Sequence, residues 1–169
     1  MIAPALNIEN YVADGFIKVC DVEQESSRHS PCWWYSDINE ATMFSEHRSW
    51  VYFIVLDQEI VKIGETGNPL GIRSKTSDQP LCGSTGRLGR YRNGDATDWF
   101  IRYNLYPDIE AGRKVTIWAR RCEMVKLSVS VGGIEDETMT TFHKDLEMRY
   151  LDRVFSQTGD FPLLNKMRK

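Results

Sequence analysis

The chain has 169 residues, 41% of them hydrophobic and 27% charged, which suits one globular domain with a single sizeable core. No apolar run approaches the ~18 residues of a membrane span, and the start MIAPALNIEN lacks the basic-then-apolar pattern of a signal peptide, so membrane and secreted classes are not expected. The net charge of −3 hides a polarity: residues 1–61 hold 3 Lys/Arg against 10 Asp/Glu, residues 62–121 hold 11 against 6, and residues 122–169 hold 7 against 8. A basic middle behind an acidic front can face a polyanion; the alternative is a merely solvated face. Cys20, Cys32, Cys82 and Cys122 contain no Cys-x-x-Cys pair and are expected to be reduced thiols of a cytoplasmic protein. Cys20, His29 and Cys32 offer zinc-ligand types but lack a matching second pair, so a zinc site is not expected.

In chain order, Asn7 can cap a short helix running to Asp14, with Gly15 as its stop. Phe16–Val22 alternates as a strand, and Gln24–Pro31 is polar and reads as a loop. Cys32-Trp33-Trp34-Tyr35 is an aromatic cluster, read either as an anchor for the front arm or as a stacking platform for bases. Asp37 begins a predicted helix to His47, with Glu40 at the capping-box position.

Trp50–Leu56 and Glu59–Gly64 are β-rich runs joined by Asp57-Gln58, the pattern of a tight hairpin. Tyr52 stands in the first run and Lys62 in the second, a charge inside Ile60-Val61-Lys62-Ile63. Asn68-Pro69 starts a short predicted helix, Leu70–Lys75, followed by a Pro- and Gly-bearing loop from Ser77. A second short helix is predicted from a Ser84 cap through Arg92; it carries Arg87, Arg90 and Tyr91, and Arg87 and Tyr91 share a face. Thr97–Tyr106 reads as an amphipathic helix with Pro107 beyond its end. Lys114–Arg121 and Val125–Val131 read as a third and a fourth strand. Gly132-Gly133 breaks the chain, and a long helix is predicted from Thr138 to about Ser156, with Met139, Phe142, Leu146, Tyr150 and Val154 at helical spacing.

The ordered set resembles the GIY-YIG nuclease superfamily, in particular its short standalone restriction and phage-type endonucleases. Trp50-Val51-Tyr52 stands where that family has Gly-Ile-Tyr, and Lys62-Ile63-Gly64 where it has Tyr-Ile-Gly. Leu146-Glu147 looks like the family's metal-binding glutamate, and Pro162-Leu163-Leu164-Asn165 like its closing Pro-x-x-Asn. Lysine at position 62 occurs in some of its short restriction enzymes. The family arginine has two candidates. Arg73 lies at the usual distance after Lys62; Arg87 has the usual tyrosine four residues on, which favours it.

The resemblance implies an α/β fold: a small, mainly antiparallel three- to four-stranded sheet flanked by helices. The division it suggests is an acidic N-terminal arm over residues 1–48 and a nuclease domain over 49–169, with an insert at about 74–114. It implies Mg²⁺-dependent hydrolysis of DNA, with Mn²⁺ as a substitute, in the cytoplasm of a bacterial or phage-infected cell. Tyr52 would be the general base, helped by Lys62. Arg87 would grip the phosphate and Tyr91 assist. Glu147 would hold the metal and Asn165 order its surroundings. Arg73, Lys75, Arg90 and Arg92 are the expected DNA contacts, no membrane partner is expected, and a homodimer would allow both strands to be cut. The alternative is a catalytically inactive nucleic-acid-binding module on the same fold.

Overall fold

A computed structural model describes residues 2–24, 33–71, 86–93 and 96–165. Two sheets and five α-helices make up the described fold. The elements are α1 (Glu9–Val12), β1 (Ile17–Gln24), β2 (Trp33–Ser36), α2 (Glu40–Met43), β3 (Trp50–Leu56), β4 (Glu59–Thr66), α3 (Arg87–Asn93), α4 (Ala96–Glu110), β5 (Val115–Arg121), β6 (Met124–Val131), β7 (Ile134–Thr141) and α5 (His143–Thr158).

The main sheet has five strands in the order β2-β1-β5-β3-β4, and every pairing is antiparallel. It is wider than the three or four strands expected because the front of the chain supplies β1 and β2, with β1 pairing directly with β5. Strand β3 is buried along all seven residues. Both its faces are covered, which is why WVYFIVL is a continuous apolar run rather than an alternating one. On one face Tyr52 and Ile54 pack with Leu88, Tyr91, Ile101 and Leu105 of α3 and α4. On the other, Val51, Phe53 and Val55 pack with Tyr11, Tyr150 and Val154 of α1 and α5. The site therefore lies at a sheet edge held rigidly from both sides.

The Trp50–Leu56 hairpin forms as expected, with a β-bulge: Ile54 pairs with Lys62 while Val55 pairs with Ile60, so Val61 is the extra residue. The bulge places Val61 in the same core cluster as Tyr52 and Ile54.

Three expectations are corrected. The helix predicted from Asp37 to His47 is only α2, capped by Asn39, whose side chain accepts from the Thr42 N–H. Asp37 instead has a positive φ of 46° and pairs with Lys18, which takes it out of the capping role. Helix α4 does not stop before Pro107 but runs through it to Glu110. Ile101, Leu105 and Ile109 all pack on the sheet, so burial of that face outweighs the amide bond and the steric fit that proline removes. The long C-terminal helix starts at His143, not Thr138, because Ile134–Thr141 is a strand paired with β6 from Val131↔Ile134 to Met124↔Thr141. Gly132 and Gly133, at φ 61° and 83°, form the two-residue turn that joins them. Met139 and Phe142 are consequently exposed, while Tyr150 and Val154 keep the helical core face. The predicted fourth strand is thus half of a separate two-stranded sheet. Among the described residues no helix is long and apolar enough to cross a membrane.

Candidate active site

Tyr52 and Gly64 face each other across the β3–β4 ladder. A Cβ at position 64 would lie 2.5 Å from both Cζ and Oη of Tyr52, so only glycine lets the phenol lie flat over the strand. Tyr52 is 1% exposed. Its oxygen meets the hydroxyl of Tyr91 at 2.8 Å and accepts from Arg87 Nε at 2.9 Å. Arg87 also donates to the Tyr91 oxygen at 3.3 Å, closing a triangle. The i,i+4 spacing on α3 makes this reach possible, as the sequence suggested.

Two further supports hold the triangle. Asp98, in the first turn of α4, receives Arg87 at 3.0 Å and is 1% exposed at its side chain. Trp33 stacks on Tyr91 at 5.4 Å, and the Tyr35 hydroxyl donates to the Leu88 carbonyl on α3 at 2.7 Å. Trp33, fully buried, and Tyr35, nearly so, serve as an anchor whose load is the arginine helix.

Electrostatics follow from burial. Desolvation pushes the Tyr52 phenol above its ordinary value, opposed by the Arg87 guanidinium and by hydrogen bonds from Tyr91 and Arg87. Burial pushes Tyr91 well above that value, and the neighbouring Tyr52 adds to the rise. Burial works against the Arg87 charge, but Tyr52, Tyr91 and Asp98 outweigh it and its pKa rises.

Glu147, half-buried on α5, faces the triangle across a cleft of about 240 Å³ that Tyr52 and Arg87 also line. Glu65, Thr66 and Asn68 bring further oxygen atoms to its wall. Glu65 is held by His143 Nε2 at 3.2 Å, and His143 Nδ1 meets the Thr141 hydroxyl at 2.8 Å. His143 opens the helix that carries Glu147, so this pair ties α5 to β4.

Lys62 is 1% exposed and pairs with Ile54, which puts it on the Tyr52 face at the diagonal position beside Gly64. Asn165 bonds both backbone groups of Ile63: it accepts from the N–H at 2.8 Å and donates to the C=O at 2.9 Å. Because β4 is an edge strand, this side chain stands in for a missing neighbour and fixes the strand bearing Lys62 and Gly64. Arg73 and Lys75 lie outside the described residues. Arg90 and Arg92 lie on α3, where their side chains are likewise outside the description. Arg87, the candidate with tyrosine four residues on, contacts Tyr52.

Sequence reasoning missed Asp98, Glu65 and His143. An acid in a first helical turn ordinarily serves the helix dipole, so Asp98 carried no distinguishing signal. Glu65 follows the Lys62-Ile63-Gly64 motif directly, which was the available hint.

No protein-family model matches the sequence, and no curated protein matches it. Among solved structures, the fold matches a mutant of bacteriophage T4 EndoII with a TM-score of 0.51 and 18% identity, covering 89% of this chain and 95% of that one. The restriction endonuclease HPY188I in complex with product DNA aligns with a TM-score of 0.46 and 17% identity, covering 97% of this chain and 87% of that one. The mixed α/β fold with a mainly antiparallel sheet flanked by helices, implied by the resemblance, is the one observed.

Proposed function

We propose that the protein is a Mg²⁺-dependent DNA endonuclease that hydrolyses a phosphodiester with Tyr52 as general base. The observation that carries this reading is the closed Tyr52–Arg87–Tyr91 triangle facing Glu147 across one polar cleft. The EndoII-like fold and the basic segment 62–121 support it.

The Tyr52 oxygen accepts from Arg87 Nε and meets the Tyr91 hydroxyl, and its phenol lines the cleft, into whose solvent it releases its own proton before acting as a base. A water there loses its proton to the Tyr52 oxygen as its own oxygen attacks phosphorus. Lys62, on the diagonal beside Tyr52, favours the phenolate that must form first. Arg87 holds a non-bridging phosphate oxygen through its remaining Nη1–H, the other N–H groups being engaged by Tyr52, Tyr91 and Asp98, and Asp98 keeps the guanidinium in its plane. The bond from phosphorus to the leaving sugar oxygen breaks, and that oxygen takes its proton from solvent.

The donor set fits a small hard cation: a half-buried carboxylate with hydroxyl and amide oxygens beside it leaves positions for phosphate and water. Glu147 would hold Mg²⁺, or Mn²⁺ on the same oxygens, and the ion would supply charge relief at the phosphate.

One observation favours a second reading. Tyr52 is buried and its phenol is pushed up, as suits a structural tyrosine in a catalytically inactive nucleic-acid-binding module. Plasmid cleavage with Mg²⁺, run beside Glu147→Ala, separates the two. Cleavage that falls at least 100-fold in the variant, with DNA binding kept, supports the enzyme. Binding without cleavage in the unaltered protein supports the module.

A further inference from the structure

Strands β6 and β7 form a two-stranded ribbon that stands clear of the main sheet. All eight residues of β6 and the first six of β7 are exposed. The ribbon is tied down at its base, where the Thr141 hydroxyl meets that of Ser49 at 2.8 Å. Successive side chains of a strand point to opposite faces, and residues paired directly across an antiparallel ladder share a face. The ladder from Met124↔Thr141 to Val131↔Ile134 therefore puts Val125, Leu127, Val129 and Val131 on one face with Ile134. Lys126, Ser128, Ser130, Glu135 and Glu137 fall on the other, where Lys126 and Glu137 form an ion pair at 2.5 Å.

Alternation of apolar and polar residues is the pattern of a strand with one face buried. Strand β6 has that pattern, yet its apolar face is open: Val125, Leu127 and Val129 are 39%, 37% and 40% exposed, and Val131 and Ile134 70% and 74%. A lone two-stranded ribbon is marginal in water, so this face gains from being covered by another molecule. Charge narrows the occupant. Residues 124–141 hold one Lys against Glu135, Asp136 and Glu137, and that net charge of −2 repels nucleic acid and anionic lipid. On the apolar face itself the single charged side chain is Asp136, on β7. A two-fold axis running across the strands lays β6 antiparallel on β6 of a second copy. Asp136 then faces the level of Thr138, not another Asp136, and stays at the rim. The apolar stripe is its own complement, as a two-fold contact between identical chains requires.

We propose that Val125, Leu127, Val129 and Val131, with Ile134 at the turn, form a self-association face on which the ribbon of a second copy of this chain packs. None of the residues lining the Tyr52–Glu147 cleft belongs to the ribbon, so this contact and the endonuclease reading stand or fall separately.

Sedimentation equilibrium of the full chain, from about 2 to 200 µM, tests it. The mass should rise with concentration from that of one chain, 19.5 kDa, toward that of two. Leu127→Glu/Val129→Glu buries carboxylates in the stripe and should raise the dissociation constant at least ~30-fold. Ser128→Glu/Ser130→Glu adds the same charge to the opposite face and should change it less than about threefold. If circular dichroism shows that the Leu127/Val129 pair does not fold, Val131→Glu, at the exposed end of the stripe, takes its place. A one-chain mass across the whole range, association that survives the Leu127/Val129 change, or equal loss in both pairs would each overturn the face. A protein that stays monomeric and loses binding of a labelled duplex DNA in the Leu127/Val129 pair would assign the face to nucleic acid instead.

Discussion

Gly64→Ala places a methyl group 2.5 Å from Cζ and Oη of Tyr52. Ordinary contact begins at 3.4 Å, so ring or strand must retreat by the difference, roughly 0.9 Å. The strand has little freedom: β4 is paired with β3 along its length and its outer edge is held by Asn165. The ring must move, and its oxygen then leaves the 2.9 Å bond from Arg87 and the 2.8 Å contact with Tyr91. Overpacking of this kind costs about 1–3 kcal/mol, and ~1 Å of misplacement at a catalytic group costs about 100-fold in rate. In a domain of this size that energy corresponds to a fall in Tm of about 2–12 °C. The assay pairs thermal unfolding by circular dichroism with single-turnover cleavage of a labelled DNA. A variant that cleaves within threefold of the unaltered protein at an unchanged Tm refutes the argument that the second-motif glycine exists to admit the Tyr52 phenol.

Lys62→Met keeps the length and apolar stem of a side chain that is 1% exposed, so Tm should hold within a few degrees while cleavage falls at least 100-fold; unchanged cleavage would sink the Tyr52–Lys62 coupling even if the fold assignment stands. The pH profile has a definite sign. Since the Tyr52 phenol is raised from 10 and its deprotonated form is the base, log kcat should climb with pH at a slope of about 1 from pH 7 to 9, without a plateau. A flat profile in that window would assign the base to another group.

The hairpin was legible because its signal is local: β-branched and aromatic residues on either side of a two-residue connection. The Arg87–Tyr91 face was legible for the same reason, since i,i+4 spacing fixes it. The strand β7 was misread because Met139, Phe142 and Leu146 satisfy a helical period, and periodicity cannot see the partner strand. The Gly132-Gly133 pair, read as a break in the chain, is the hairpin turn between Val131 and Ile134, with both residues at positive φ.

What the sequence by itself supplied is therefore a set of candidates for the site: Tyr52, Lys62, Arg87, Tyr91, Glu147 and Asn165, picked out by local pattern and by the family resemblance. The tertiary structure decided how they are held. Asp98 reaches Arg87 from another helix, Trp33 and Tyr35 support α3 from 53 to 58 residues upstream, and His143 joins the Glu147 helix to Glu65. These contacts depend on packing across the sheet between segments distant in the chain, and such pairs leave no period or spacing in the sequence to read.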